Sequence, residues 1–260
     1  MRHEVFDGID KIADHLRETA SEAALDGTLT TSTVERMKQS GVIRMLQPKD
    51  YGGYEATPCE FFDAVMEFGK HDPAACWVAG VVGVHPWELA LNDHRLQAEV
   101  WGDDPDTWVA SPYAPHGIAR PVDGGYVFNG RWQFSSGTDH CDWIVLGAFL
   151  GDEQGQMANP PSMLHIMLPR EDYTIVDDSW QVMGLEGTGS KDIVVQDAFI
   201  PDYRAIDAVK VMDGRAAIEA GRTQPLYRLP WSSVFPNAIA AAMVGITEGV
   251  LDSALHYHTD

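Results

Sequence analysis

The sequence predicts an α+β fold of several domains, in which helical segments flank a central block of β-strands. Apolar residues recur at helical spacing through residues 1–106. Short apolar runs separated by turn signals fill residues 107–213, and helical spacing resumes over residues 214–260. We therefore expect an N-terminal helical domain, a middle antiparallel β-barrel domain, and the start of a C-terminal helical bundle that is mostly absent.

The charge balance limits the partners that the protein can bind. The 260 residues include 39 acidic and 18 basic ones, for a formal net charge of -21. Such a chain repels nucleic-acid phosphates and anionic membrane surfaces. The cysteines form no Cys-x-x-Cys pair, the N-terminus has no apolar signal region, and no apolar run is expected to be long enough to span a bilayer. We expect a cytoplasmic protein without a nucleic-acid or membrane partner.

Three helices are predicted near the N-terminus. Apolar spacing indicates a first helix over residues 4–24. Ser32 and Glu35 match a capping box, so the second helix is expected to begin there and to end at Gly41. Thr57 stands before a proline and three residues before a glutamate, which predicts the start of a third helix.

A fourth helix, predicted over residues 73–91, is rich in small residues. Small side chains allow another helix or a flat ligand to approach the backbone closely. Both close packing and a ligand site are compatible with this pattern. The small residues are Ala74, Ala75, Ala79, Gly80 and Gly83.

Turn and strand signals alternate through the middle of the chain. Asp123-Gly124 marks one turn, and Asn129-Gly130 predicts a hairpin between residues 126–128 and 132–134. These signals favour a compact antiparallel sheet. Further strands are predicted over residues 143–149, 162–168, 173–176 and 193–200.

Two other motifs do not indicate a cofactor or metal site. Residues 184–190 are rich in glycine but lack the Gly-Lys-Ser/Thr ending of a phosphate loop, so we expect a turn between strands. His256 and His258 form an isolated His-x-His pair without cysteine or carboxylate ligands at suitable spacing. We therefore expect no metal site.

Three segments combine a large aromatic residue with a hydroxyl or imidazole group. They are residues 76–87, 110–113 and 132–137. An isoalloxazine ring, the redox-active part of a flavin, requires aromatic or apolar faces and a few hydrogen bonds at its edge. Each segment alone is more typical of core packing or turns, but the three together indicate a flavin site.

Several stretches along nearly the whole chain resemble one protein family. They are Leu46-Gln47-Pro48, Tyr51-Gly52-Gly53, Val82-Gly83-Val84-His85-x-Trp87, Glu99-Val100-Trp101-Gly102-x-Asp104-Pro105, Ser111-x-Tyr113-Ala114-Pro115, Val122-Asp123-Gly124-Gly125-Tyr126, Ser135-Ser136-Gly137-x-Asp139-His140 and Gly184-Leu185-x-Gly187-Thr188-Gly189-Ser190. The family is that of the flavin-dependent monooxygenases that share the acyl-CoA dehydrogenase fold. Within it, the chain most resembles the bacterial secosteroid-phenol hydroxylases of cholesterol catabolism.

The resemblance implies the oxygenase component of a two-component monooxygenase. A separate NAD(P)H-dependent flavin reductase delivers reduced FMN or FAD, which reacts with O2 to give a flavin C4a-hydroperoxide. That species hydroxylates a small aromatic substrate, here a phenol of the secosteroid type, ortho to its hydroxyl group. The resemblance also implies a homotetramer for the full-length protein.

The family implies roles at matching positions. His85 and Ser111 match residues that bind the phenol, and Ser136 matches a serine beside the flavin N5 atom, so these three are the expected catalytic residues. An imidazole hydrogen-bonded to the phenol stabilises the phenolate or accepts its proton. The cofactor-binding positions that the resemblance implies are Trp77, Ser111, Pro112, Tyr113, Phe134, Ser135 and Ser136.

The chain departs from the family pattern in three ways. Glu186 stands where the most similar members have arginine, and Phe134 stands where the steroid enzymes have tryptophan. The C-terminal bundle, which in the family supplies an active-site histidine, flavin-phosphate contacts and most of the tetramer interface, is mostly missing. We therefore expect a fragment or a truncated gene product.

Three other functions are compatible with the same fold. A related oxygenase would attack sulfur or an amine nitrogen, and an acyl-CoA dehydrogenase would carry its catalytic glutamate in or beyond the missing region. A truncated relative would act only by associating with full-length subunits. The segments Ser135-Ser136-Gly137 and Val84-His85 favour the oxygenases.

Overall fold

A computed structural model describes residues 2–259, except for the side chains of residues 256, 258 and 259, so the His-x-His pair lies outside the described residues. Within this range, eight α-helices accompany one eight-stranded sheet, which agrees with the predicted α+β class. The helices are α1 (Val5–Asp26), α2 (Thr31–Ser40), α3 (Pro58–Gly69), α4 (Pro73–Leu89), α5 (His94–Trp101), α6 (Ala208–Asp213), α7 (Arg215–Glu219) and α8 (Trp231–Thr259). The strands are β1 (Val109–Ala110), β2 (Gly117–Val122), β3 (Gly125–Ser135), β4 (Trp143–Leu150), β5 (Met163–Pro169), β6 (Thr174–Val176), β7 (Lys191–Pro201) and β8 (Ala205–Asp207).

The predicted caps of the N-terminal helices are confirmed in one case and shifted in another. Thr57 and Glu60 form the capping box that starts α3. At α2, Thr30 is the N-cap, and its hydroxyl accepts the Thr33 N–H, so the capping box predicted at Ser32 is wrong by two residues. The threonine lies in extended backbone and reaches a free N–H of the first turn, which is what a cap requires.

The small residues of α4 face another helix. A Cβ built on Gly80 would lie 3.1 Å from the carbonyl oxygen of Ala238 in α8. Helices α3 and α8 approach even more closely, because a Cβ on Gly69 would lie 2.1 Å from the carbonyl carbon of Gly245. The Cys76 thiol contacts carbonyl oxygens of both helices. The glycines of this region therefore serve close helix packing.

The sheet is mostly antiparallel but differs from the predicted antiparallel barrel. Its order is β6-β7-β3-β2-β4-β5-β8, with β1 also paired to β4. The β2–β4 and β1–β4 pairs are parallel. Strand β4 follows β3 in the chain and runs opposite to it, so it is parallel to β2 when it pairs there. Among the described residues no pairing joins β6 to β8, so the sheet stays open at these edges.

Asn129-Gly130 is not the hairpin turn that the sequence predicts. Strand β3 runs through both residues, and its register against β7 shifts between Phe128 and Gly130. The Asn129 amide donates to the Asp197 carboxylate at 3.0 Å, and its oxygen accepts the Asp197 N–H at 2.8 Å. A bulge next to glycine and a tight turn share local sequence preferences, and only pairing with β7 decides between them. The turn at Asp123-Gly124, between β2 and β3, is confirmed.

Helix α8 is long and mostly apolar. Its segment Trp231–Leu255 is long and apolar enough to cross a membrane: over an 18-residue stretch of it the mean hydropathy is 1.5, and 33% of that stretch is buried inside the protein. The prediction that no apolar run has such a length is therefore wrong. The buried side of α8 packs on α3 and α4.

Adding a methyl group to either of two mid-helix glycines tests this packing. Gly245→Ala places a Cβ 2.5 Å from the Met66 carbonyl oxygen, whereas the nearest atom to a Cβ at Gly80 is 3.1 Å away. The intrinsic gain in helix stability is the same in both variants. We expect chemical denaturation to give an unfolding free energy about 1–3 kcal/mol lower for Gly245→Ala than for Gly80→Ala. Equal values would contradict the close α3–α8 contact.

Candidate active site

A cavity of about 400 Å³ opens between α4, the sheet and the start of α8. Its wall is mainly apolar and aromatic, with serine and threonine hydroxyls among the rings. A cavity of this size suits a small organic ligand. The residues that line it are Trp77, Val81, Ser111, Pro112, Tyr113, Ala114, Gln133, Phe134, Ser136, Trp180, Leu185, Thr188, Ser190, Phe235 and Ile239.

The cavity wall carries no charge. No Lys, Arg, Asp or Glu side chain lines it in the part of the chain that the structure describes. Nor do residues 2–259, as described, contain three or more His, Cys, Asp or Glu side chains placed to hold a metal ion. Burial of a charged ligand here would leave its charge unpaired. The cavity therefore favours a flat, uncharged molecule, or the uncharged part of a larger one.

The fold brings most of the predicted flavin-binding residues to this cavity. Helix α4, the segment after β1 and the end of β3 supply them. Those that line the cavity are Trp77, Ser111, Pro112, Tyr113, Phe134 and Ser136. Ser135 does not line it. Its side chain is buried, and its hydroxyl has no hydrogen-bond partner among the described residues.

Four hydrogen bonds connect one side of the cavity wall. The Trp77 Nε1–H donates to Ser136 Oγ at 3.0 Å, and Ser136 Oγ lies 2.7 Å from Ser190 Oγ. Ser190 Oγ lies 2.7 Å from Thr188 Oγ1, which donates to the Leu185 carbonyl oxygen at 2.9 Å. We call these groups the hydroxyl chain. It fixes the Ser136 hydroxyl in the wall.

Sequence reasoning missed Thr188 and Ser190 as site residues. They belong to the glycine-rich stretch predicted as a turn between strands. That prediction is confirmed, since a 3-10 turn at Glu186–Thr188 lies between β6 and β7. The turn also directs two hydroxyls into the cavity wall. The available signal was the Thr188-Gly189-Ser190 match to the family.

Two residues of the cavity wall have a left-handed backbone without being glycine. Phe134 has a φ of 67° and Leu185 a φ of 59°. Such conformations cost energy for residues with a Cβ and cluster at functional sites. The Phe134 side chain is 67% exposed and meets the Trp180 ring edge-on at 6.3 Å. Both aromatic rings are therefore available to a ligand.

His85 is fully buried and does not line the cavity. Its Nδ1 lies 2.5 Å from the Val109 carbonyl oxygen. Because a carbonyl oxygen only accepts, Nδ1 donates, and a neutral ring leaves Nε2 as an acceptor. Nε2 has no partner within the described residues. Burial lowers the pKa of His85 to about 4, so the imidazole is neutral near neutral pH.

Two rings that line the cavity lie next to His85. The Tyr113 ring is 5.7 Å from the imidazole, and the Phe235 ring is 6.3 Å away and nearly parallel to it. Phe235 also stacks on Trp231 at 4.8 Å. Both Phe235 and Trp231 come from α8, where the sequence analysis predicted no site residue. No local signal marked Phe235, which enters the site because α8 packs against α4.

A buried acid–base pair lies close to Tyr113. Glu88 Oε1 is 2.5 Å from His165 Nδ1, and both side chains are 2% exposed. The His165 ring lies 4.8 Å from the Tyr113 ring. Burial, and then the charge of Glu88, raise the pKa of Tyr113 well above its ordinary value. Sequence reasoning missed this pair, although a glutamate in a helix of apolar residues was an available signal.

Glu186, which replaces the family's arginine, does not line the cavity. Its carboxylate accepts the Gly184 N–H at 2.7 Å. Hydrogen bonding to the backbone lowers the pKa of Glu186. The acidic side chain therefore stabilises its own turn.

Known proteins similar to this chain are hydroxylases and monooxygenase subunits. The chain is 54% identical to a pigment production hydroxylase from Rhodococcus erythropolis over 99% of this chain and 65% of that protein. It is 38% identical to the flavin-dependent monooxygenase oxygenase subunit HsaA from Rhodococcus jostii, over 96% of this chain and 64% of HsaA. The chain thus spans about two thirds of the length of these curated relatives. No protein-family model matches it.

Solved structures share the fold over nearly the whole chain. The HsaA monooxygenase from Mycobacterium tuberculosis matches with a TM-score of 0.91 and 36% identity, over 97% of this chain and 68% of that one. The chain belongs to the flavin-dependent monooxygenase oxygenase subunits. A further structure of this fold, XiaF from Streptomyces in complex with FADH2 and glycerol, matches with a TM-score of 0.83 and 27% identity, over 95% of this chain and 60% of XiaF.

The pH dependence of stability tests the burial of His85. Its folded pKa of about 4 lies below the ordinary value of about 6.5, so the unfolded chain binds the proton first as the pH falls. The stability that depends on neutral His85 is present above about pH 6.5 and is lost as the pH falls towards 4. When the pH is lowered from about 7.5 to 5, the unfolding free energy of the wild type is expected to fall. The fall in His85→Gln is expected to be smaller by roughly 2 kcal/mol.

Denaturant titrations at the two pH values provide the measurement. His116→Gln is the matched control, because His116 is an exposed histidine. We expect the control to lose as much stability as the wild type. If His85→Gln also lost as much, His85 would not be the buried neutral base that the structure shows.

Replacement of Glu88 tests the buried pair. Glu88→Met leaves His165 Nδ1 buried without its hydrogen-bond partner, which is expected to lower the unfolding free energy by about 1–3 kcal/mol. Glu219→Met removes an exposed carboxylate paired with Lys210 and is expected to cost less than about 1 kcal/mol. Chemical denaturation of both variants measures the difference. Similar losses in the two variants would show that the Glu88–His165 pair is not buried.

Proposed function

We propose that this chain carries the flavin and phenol sites of an oxygenase component that uses reduced FMN or FAD and O2 to hydroxylate a phenol ortho to its hydroxyl group. The observation that carries the proposal is an uncharged cavity where aromatic faces meet the hydroxyl chain. Family membership supports the same activity, since HsaA is an oxygenase subunit of a flavin-dependent monooxygenase.

The chemistry of the cavity wall fits a flavin ring. Trp77, Phe134 and Trp180 offer aromatic faces, and Ser136 offers a hydroxyl at one edge. The Ser135 hydroxyl is unpartnered among the described residues and lies buried behind the wall, next to Ser136 in the chain, where we propose that it supports the flavin site. When bound, reduced flavin supplies the electrons that activate O2. The apolar wall excludes water from that chemistry, and the XiaF complex supports FADH2 as one form of the cofactor.

His85 and Ser111 are the proposed phenol-binding residues. The phenol hydroxyl donates to His85 Nε2, which the Val109 contact holds as an acceptor. This hydrogen bond shifts electron density from the phenol O–H towards the aromatic ring and so makes the ring more reactive towards electrophilic oxygen. Ser111 lines the cavity and adds a second hydrogen bond. Since His85 itself does not line the cavity, the phenol reaches Nε2 by displacing the Phe235 or Tyr113 ring.

The proposal extends to the partners of the whole protein. A separate NAD(P)H-dependent flavin reductase supplies the reduced flavin, in keeping with the name of HsaA as an oxygenase subunit. The small aromatic substrate is a phenol of the secosteroid type, which the similarity to 3-HSA hydroxylase from Rhodococcus supports. We also propose a cytoplasmic homotetramer that binds neither nucleic acid nor membrane, in agreement with the net charge of -21.

A hydroxylation assay tests the proposal. Reduced FMN or FAD is added anaerobically to the purified chain, which is then mixed with O2 and a phenol, and catechol formation is measured. His85→Ala is expected to lower the catechol yield about a hundredfold, because it removes the hydrogen-bond acceptor of the phenol hydroxyl, while flavin binding stays unchanged. His116→Ala, at an exposed histidine, is expected to behave as the wild type. Full activity in His85→Ala would contradict the phenol site, and failure of the wild-type chain to bind flavin would contradict the flavin site.

A further inference from the structure

The hydroxyl chain has a fixed direction at its Leu185 end. Thr188 has one hydroxyl hydrogen, which it donates to the Leu185 carbonyl oxygen at 2.9 Å. Thr188 therefore only accepts in its 2.7 Å contact with Ser190, so Ser190 is the donor there. With its single hydrogen used, Ser190 must accept in its 2.7 Å contact with Ser136. Ser136 is thus the donor to Ser190.

Trp77 fixes the other end of the chain. An indole N–H only donates, and Trp77 Nε1 lies 3.0 Å from Ser136 Oγ. Ser136 therefore accepts from Trp77, donates to Ser190 and keeps one lone pair. The Trp77 N–H at one end can only donate, and the Leu185 carbonyl oxygen at the other end can only accept. The hydrogen bonds of the chain therefore cannot run in the reverse direction. Because Ser136 lines the cavity, the wall offers a hydrogen-bond acceptor at this position, not a donor.

The two redox forms of a flavin differ at the atom that the proposed function places beside Ser136. Nitrogen N5 carries a hydrogen in the reduced form and a bare lone pair in the oxidised form. An acceptor in the wall forms a hydrogen bond with the reduced N5–H. The same acceptor leaves the oxidised N5 without a donor, which costs affinity.

We propose that Ser190 and Thr188 are positioning residues that hold the Ser136 hydroxyl as an acceptor and so make the cavity select reduced over oxidised flavin. The inference rests on the proposed function, in which Ser136 lies beside N5. Both residues act through Ser136: Ser190 accepts the Ser136 hydrogen, which would otherwise turn towards the cavity, and Thr188 accepts the Ser190 hydrogen, which would otherwise turn towards Ser136. This selection would retain the form of the cofactor that reacts with O2.

Binding of FMN in both redox states tests the inference without any turnover. In the wild type we expect a lower Kd for reduced than for oxidised FMN. Ser190→Ala removes the acceptor of the Ser136 hydrogen, which then turns into the cavity and donates to an oxidised N5. Thr188→Val removes the acceptor of the Ser190 hydrogen, so Ser190 donates to Ser136 instead. The Ser136 hydrogen then turns into the cavity, as in Ser190→Ala. In both variants the ratio of the oxidised to the reduced Kd is expected to fall about fivefold, the contribution of one hydrogen bond.

Two further variants test whether the ratio of dissociation constants depends on the direction of the hydrogen bonds or only on side-chain packing. Thr188→Ser keeps the hydroxyl and is expected to retain the wild-type ratio. Ser179→Ala removes a hydroxyl that donates to the Val176 carbonyl oxygen and accepts the Asp192 N–H, outside the hydroxyl chain. It is also expected to leave the ratio unchanged. Equilibrium dialysis under anaerobic and aerobic conditions gives both dissociation constants.

The outcomes distinguish this inference from the proposed function. If Ser190→Ala and Thr188→Val weakened the binding of both flavin forms equally, or left the ratio of dissociation constants unchanged, the inference would be wrong. The proposed flavin site would not be contradicted by that result. Equal affinity of the wild type for both forms would also overturn the inference alone. If the wild-type chain bound neither form, the proposed function and the inference would fail together.

Discussion

Burial of α4 on all sides is the constraint on which the rest of the structure depends. Every residue of this helix except Pro73 and Trp77 is buried. A helix that is apolar all round must lie in the centre of a fold, and α3, α8 and the sheet pack around it. Trp77 is the informative exception, because its indole faces the cavity. The cavity is thus the place where the enclosure of α4 is incomplete.

A helix buried in this way can carry polar groups only where partners meet them. His85 contacts the Val109 carbonyl oxygen of β1, and Glu88 contacts His165 of β5. The Trp87 indole donates to a carbonyl oxygen in the turn before α8. These contacts connect α4 to the sheet and to the turn before α8, near the proposed phenol site. The interactions that stabilise the fold are therefore also those that set the tautomer and charge of the proposed catalytic histidine.

Several features that depend on neighbouring residues could be predicted from the sequence, whereas features that depend on distant pairing could not. The cap at Thr57 follows from adjacent residues alone. Six of the residues that were named by resemblance to a family, rather than by spacing, line one cavity. Asn129 lies in a bulge and not a turn because Asp197, far along the chain, pairs with it. Phe235 likewise joins the site only through the packing of α8 on α4, and the direction of the hydroxyl chain emerges only from the contacts between its groups.

The central claim is that the uncharged cavity holds the ring of a reduced flavin with Ser136 at its edge. A crystal structure of the chain grown anaerobically with reduced FMN tests this claim most directly. Electron density for the ring is expected beside Trp77 and Phe134, with N5 about 3 Å from Ser136 Oγ. Density in the separate cavity beside Asn92 and Lys210, or no bound flavin at all, would contradict it.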